Sequence, residues 1–307
     1  MKFKKFIIKV QNNGKKITYT CDESKLANYF GANPEAPNFL TPIFFKKEVL
    51  DKYYNKPSKY SVKDGYLSYG SKWGINIDNN AENCIMVYLG DLGRMPYEEQ
   101  QHWELHSITD RNVSQTSFKR DFQAEFCSPT EPSLFFKEKL SSLNKKWKDK
   151  FGWDLFKPLN KEDEHHIKTL KIPDTEQKEF DEVVLSLNKI IVDSLNISEM
   201  KKNLIFDKED KPISILEKYL KQKHGFNSTE LFYFLRNLQK LRSKGTAHRK
   251  GSDYNITYKI FDKGDLSKTF EDILIQTIKM LNTIESIILR GQIKGDIIKC
   301  QRNNQLL

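Results

Sequence analysis

The sequence predicts an α+β protein in two parts: an N-terminal mixed domain with a small antiparallel sheet, then a C-terminal antiparallel helical bundle. Three observations predict it. The first half carries short alternating or aromatic and β-branched runs, cut by Asn-Gly, Asn-Asn and single glycines. The second half carries long stretches with apolar residues at helical spacing. Between them, residues 159–175 are polar, with Pro158 and Pro173 near the ends. The expected domains are therefore residues 1–160 and 175–307.

In chain order, Lys5–Val10 and residues 17–21 alternate apolar and polar around Asn12-Asn13-Gly14, which predicts a hairpin. Asp22 can cap a short helix over 23–30, stopped by Gly31 and Pro34. Residues 44–54 read as a helix ended by Lys56-Pro57. Tyr66–Tyr69, 73–77 and 85–89 are aromatic and β-branched runs between turn residues, and predict three strands of one antiparallel sheet. Residues 96–106 form a helix opened by Pro96, and 132–150 a longer one ending before Gly152. Four bundle helices follow, over 179–195, 213–223 (closed by Gly225), 228–242 and 266–289. The first places Phe180, Val183, Val184, Leu187, Ile190 and Ile191 on one stripe.

Composition bounds the function. The chain has 307 residues, 38% hydrophobic and 30% charged, with a mean hydropathy of −0.66. No run approaches the ~18–20 apolar residues of a membrane span. The opening MKFKKFIIKV alternates like a strand and lacks the cleavage site of a signal peptide, so a cytoplasmic protein without membrane association is expected. Cys21, Cys84, Cys127 and Cys300 are far apart, which argues against a disulfide framework or zinc knuckle. The net charge of +10 favours a polyanion such as nucleic acid, although lysine-rich composition alone also produces it.

The segment with the most chemistry runs Leu238-Gln-Lys-Leu-Arg242-Ser-Lys-Gly-Thr-Ala-His248-Arg-Lys-Gly251. It ends a helix, and Gly245 suits a C-cap. Histidine titrates near neutrality and can move protons; arginine can hold a phosphate and stabilise charge developing on it. Lys240, Lys244, Arg249 and Lys250 crowd the same stretch and would attract an RNA backbone. Arg242 and His248, with five residues between and a long last helix still to come, resemble the motif of HEPN-type ribonucleases. The resemblance covers roughly the bundle from Thr175 onward. It departs at Ser243, where the family often has Asn, Asp or His. It implies a metal-independent endoribonuclease of antiphage or toxin type with Arg242 and His248 catalytic. It also implies RNA as substrate, no cofactor, and a homodimer through the bundle whose two Arg/His pairs face one cleft. The N-terminal domain would be a sensor, a substrate-positioning module or the seat of a regulatory partner or ligand. The alternative is a non-catalytic RNA- or nucleotide-binding or dimerisation protein, with Arg242 neutralising helix carbonyls and His248 a loop residue.

Other groups read more plainly. His102 and His106 sit four apart on a helix, but Trp103 stands where a zincin needs glutamate, so no metal site is expected. Residues 162–166, Glu-Asp-Glu-His-His, read as a solvated linker run. Gly90-Asp-Leu-Gly-Arg94 lacks a phosphate-loop pattern and reads as a tight turn, with Asp91 and Arg94 placed for contacts. Tyr66, Tyr69, Trp73, Tyr88 and Tyr97 could stack bases if exposed, but such positions more often build the core. The stretches Leu40-Thr-Pro-Ile-Phe-Phe45, Trp73-Gly-Ile75 and Tyr88-Leu-Gly-Asp-Leu-Gly93 resemble segments of uncharacterised bacterial proteins and carry no activity with them.

Overall fold

A computed structural model describes residues 2–202, 204–245 and 252–303, with backbone alone at 244–245 and from 289 onward. The chain divides into two compact units, Met1–Leu134 and Phe135–Leu307. The first is mixed α and β with small antiparallel sheets; the second is helical.

In the first unit, β1 (Lys5–Val10) and β2 (Lys16–Thr20) pair antiparallel around Gly14, whose φ of +80° only glycine adopts readily. Asp22 does cap a helix, but only a single 3₁₀ turn, Glu23–Lys25. The expected helix over 23–30 does not form. Asn28 takes the backbone N–H groups of Phe30 and Ala32, which competes with a helix, and Tyr29 and Phe30 are left 96% and 91% exposed.

The reading of 44–54 as one helix is also corrected. Ile43 and Phe45 alternate inward from β3 (Pro42–Phe45), where a β-branched and aromatic run packs best. Lys46 stays extended, and a 3₁₀ turn leads into α1 (Asp51–Tyr54). Then come β4 (Ser61–Lys63), β5 (Tyr66–Tyr69) and β6 (Trp73–Asn76), a three-stranded meander. The third expected strand, β7 (Ile85–Tyr88), belongs to a different sheet, and α2 (Leu89–Leu92) follows it. After α3 (Tyr97–Leu105), β8 (Ser107–Ile108) completes that sheet in the order β7-β3-β8. Side-chain periodicity cannot assign short strands to sheets; the pairing comes from β3, whose Phe44 and Phe45 the sequence reading placed at the start of a helix. Next is α4 (Gln115–Phe122), capped by Ser114. Phe6, Phe45 and Trp103 form the centre of the core, with Phe45 and Trp103 edge to face at 4.7 Å.

α5 (Pro132–Phe151) sends Phe136, Leu140, Leu143 and Trp147 into the helical core. Leu155, Phe156 and Leu170 join the same core, which explains why the division lies ahead of the polar segment 159–175. That segment holds a helix, α6 (Glu164–Thr169). α7 (Gln177–Asn188) continues through a π turn, Lys189–Asp193, and is followed by α8 (Ile197–Met200) and α9 (Pro212–His224). Gly225 closes α9 in the left-handed region, φ +63°. α10 (Thr229–Gly245), α11 (Ser252–Phe261) and α12 (Leu266–Asn303) complete the unit. α11 is an addition to the expected four-helix plan. Among the described residues no helix is long and apolar enough to cross a membrane.

Candidate functional site

Arg242 lies in the last turn of α10, on a helix whose Phe232, Leu235, Leu238 and Leu241 are buried. That stripe fixes the helix in the core and leaves Arg242 on its margin, with its side chain 24% exposed. One guanidinium nitrogen, Nη1, meets both carboxylate oxygens of Asp193, donating to Oδ1 at 3.0 Å with Oδ2 at 2.9 Å.

Asp193 reaches this place because α7 ends in the π turn. An inserted residue rotates the face that follows it, and such bulges are frequent at functional sites. Here the turn keeps Ile190, Ile191 and Val192 buried while Asp193 emerges exposed. Asn188, fully buried just before the turn, donates to the carbonyls of Val184 and Leu238, tying α7 to α10.

His166 belongs to the same neighbourhood. In the run 162–166, Glu162, Glu164 and His165 are exposed as expected, but His166 is not: it is 8% exposed on α6, its Nδ1 2.9 Å from the Ser186 hydroxyl and its Nε2 3.6 Å from Asp163. Lys189 also reaches Asp163, at 3.6 Å. Burial lowers the His166 pKa first; the charges of His165, Lys189 and Arg242 lower it further, against Asp163. His166 is therefore neutral near pH 7. Ser186 sits in mid-helix, 7% exposed, without the exposed turn that presents a nucleophilic serine.

The remaining expected residues divide clearly. Lys240 is exposed on α10. Lys244 lies in the last turn of α10, described as backbone only. His248, Arg249 and Lys250 lie outside the described residues. Ser243 turns its hydroxyl back onto the Gln239 carbonyl, at 2.9 Å. The group orienting Arg242 is instead Asp193, which the sequence reading missed. No local signal marks it, since it follows an apolar run and precedes Ser194 like any helix-end polar residue.

Elsewhere the imidazoles have structural employment. His102 Nε2 faces the Val49 carbonyl and His106 Nδ1 the His102 carbonyl, each at 2.9 Å. Among the described residues no three His, Cys, Asp or Glu side chains are grouped to hold a metal. Cys21 and Cys84 are buried and Cys127 is half-buried, all as free thiols. In the Gly90–Arg94 stretch the glycines serve close packing: a Cβ at Gly90 would lie 2.1 Å from the Phe39 ring, and one at Gly93 2.1 Å from the Cys21 carbonyl. Arg94 pairs with buried Asp91 at 2.9 Å. Of the five aromatics that could stack bases, Tyr66 alone is more than a third exposed.

No family model, curated protein or solved structure matches the chain. The site must be read from its own chemistry.

Proposed function

We propose that the helical unit is a metal-independent endoribonuclease of HEPN type, with Arg242 and His248 as its catalytic pair. The observation that carries this reading is the placement of Arg242: at the solvent margin of a packed helix end, oriented by Asp193, in the turn that leads toward His248. An arginine whose side chain is already oriented loses little entropy on meeting a phosphate, and its planar guanidinium suits phosphate oxygens.

In the proposed reaction the RNA 2′-oxygen attacks the adjacent phosphorus as it gives up its proton. The P–O5′ bond breaks, and the departing 5′-oxygen takes up a proton. The products are a 2′,3′-cyclic phosphate and a 5′-hydroxyl. His248 serves one proton transfer and Arg242 stabilises the charge on the phosphorane-like transition state. In a homodimer the His248 of the second copy serves the other transfer. Exposed apolar side chains on the helical unit, Tyr233 on α10 and Ile256 with Ile260 one turn apart on α11, support self-association. The protein is then an effector of antiviral or toxin type acting in the cytoplasm.

The test is incubation of the purified protein with tRNA and total RNA in EDTA. Cleavage is expected, with Arg242→Ala and His248→Ala each reducing it by about 100-fold or more. Undiminished cleavage by His248→Ala overturns the assignment.

One observation favours the non-catalytic alternative. The Arg242 charge is already paired with Asp193, as in a structural ion pair. RNA binding that weakens steeply with salt, without any cleavage, would select that alternative.

A further inference from the structure

The first unit contains a polar cavity of about 340 Å³ that is independent of the ribonuclease reading. Its walls come from the β4–β5 turn, the end of β6, β7 and α4. The volume lies at the lower end of the ~300–1,000 Å³ typical of small-molecule sites.

The cavity is built before any ligand arrives. Asn79 accepts from the Gly65 N–H at 3.0 Å and donates to the Lys63 carbonyl at 2.9 Å, which fixes the β4–β5 turn. Asp78, 3% exposed, accepts from the Ser114 hydroxyl and N–H, both at 2.8 Å, and so anchors the start of α4. Arg120 grips Asp64 with two nitrogens, at 3.0 and 2.7 Å. Tyr66 lies across β6 onto Gly74, where a Cβ would sit 2.0 Å from its hydroxyl; the glycine lets the ring lie flat as a wall.

The charges in this wall do not balance. Among the described residues, Asp64, Asp78 and Asp121 line it against one cation, Arg120, which Asp64 and the Cys127 carbonyl engage. Asp78 has both oxygens engaged by hydrogen bonds from Asn80 and Ser114. Asp121 accepts the Tyr88 hydroxyl at 2.8 Å and the Ser117 hydroxyl at 2.6 Å, both on Oδ2. Among the described residues its Oδ1 accepts nothing. Burial, then the hydrogen bond and charge of Asp121, keep the Tyr88 phenol protonated, so it adds no competing charge. An anion is repelled here. A metal ion finds no convergent set of three ligands among the described residues. What fits is positive charge spread over N–H donors, on a body that can lie against a tyrosine face.

We propose that this cavity binds an organic cation, a primary ammonium or guanidinium group, with its N–H donors on Asp121 Oδ1 and its stem along Tyr66. Two sources share that chemistry: a free small amine, and a lysine or arginine side chain of another protein.

The experiment is calorimetric titration of the full chain with agmatine and, separately, with the capped peptide Gly-Arg-Gly. Binding of either supports the site; agmatine alone assigns a free small cation, and the peptide alone assigns a side chain. Asp121→Asn is expected to weaken binding about tenfold. Asn76, exposed at the end of β6 on the same cavity, supplies a second pair of variants. Asn76→Lys places an ammonium in the cavity and should abolish binding, while Asn76→Asp should tighten it severalfold, both with unchanged melting temperature. No heat from either probe up to about 5 mM, where affinity would be worth only ~3 kcal/mol, overturns the proposal. So does binding by Asn76→Lys equal to that of the unaltered chain.

Discussion

The two units use buried polar side chains in opposite ways. In the first they connect elements remote in sequence. Gln100, 1% exposed on α3, accepts from the Lys4 N–H at 2.9 Å and the Cys21 thiol at 3.2 Å, and donates to the Met95 carbonyl at 2.8 Å. Glu99 beside it accepts from Lys52 and Tyr53, both at 2.6 Å, and from Tyr60 at 3.2 Å. In the second unit many hydroxyls satisfy themselves locally: Thr257, Thr269, Thr277 and Ser194 each donate to the carbonyl four residues back. Polar groups thus specify which pieces of the first unit meet, whereas apolar stripes do this in the second. Where the helical unit departs from its habit, the departure is informative. Asn144 clasps the Phe156 backbone, Glu285 sits between Lys139 and Lys146, and a third group surrounds the π turn. That third group combines an arginine, a histidine and partial exposure, and it is the candidate site.

Stability variants give the largest expected effects and can break this contrast. Glu99→Ala strands a half-buried Lys52 and deprives two tyrosine hydroxyls of their acceptor; it should destabilise by about 3–5 kcal/mol. Phe270→Ala, at a side chain 0% exposed, should cost the helical unit about 3–5 kcal/mol through the cavity it leaves. Thr277→Val is equally buried but should change stability by less than about 1 kcal/mol, because the Ile273 carbonyl keeps its helix partner. Chemical denaturation of each variant measures all three. A Thr277→Val loss as large as that of Glu99→Ala would erase the distinction between the units.

A smaller effect is expected at the departure itself, and it depends on the ribonuclease reading. Asp193 is a positioning residue for Arg242. Asp193→Asn should lower kcat about tenfold with little change in KM, and Asp193→Glu should restore part of it. A purely structural ion pair would instead shift the melting temperature and leave the kcat of the folded protein unchanged.

The same contrast explains what the sequence disclosed. Periodic helices such as α5, α7, α9 and α10 were legible because a stripe like Phe180, Val183, Val184 and Leu187 needs only a helical period to show itself. The β1–β2 hairpin was legible through Asn13-Gly14. Residues 23–30 were misread because the Asn28 side chain captures nearby N–H groups, and 44–54 because β3 pairs with strands remote in sequence. α11 was overlooked because its exposed Ile256 and Ile260 blur the stripe made by Tyr254, Thr257 and Phe261. At the candidate site the sequence singles out Arg242 by its spacing to His248, which lies outside the described residues. Asp193 and His166 were not legible: one depends on the rotation a π turn introduces, the other on α6 folding against α7.

The smallest effect expected is in the pH dependence of stability, and it reaches both units. His102 in the first, and His166 and His224 in the second, all have pKa values lowered from the ordinary 6.5, with burial the leading cause in each. His224 is the simplest case, because burial alone acts on it. It packs against Phe151 and Tyr219 with ring centroids 5.2 and 5.3 Å away, and its buried Nε2 has no hydrogen-bond partner among the described residues. As the pH falls through 6.5 the unfolded chain takes up protons that the folded chain refuses. Stability therefore rises with pH in that window and declines on acidification, by at most about 1.4 kcal/mol per pH unit for each histidine. The decline levels off below the folded pKa values. Carboxylates such as Glu99 and Glu285, whose pKa values are lowered from 4.5 because hydrogen bonds from lysines and, at Glu99, tyrosines outweigh burial, act only at lower pH. His224→Phe keeps the aromatic packing and removes the proton site. Its melting temperature should match the unaltered protein at pH 7.5 and exceed it at pH 5.5. Parallel pH profiles for the two proteins would mean that His224 is protonated equally in both states and that its burial costs the charge nothing.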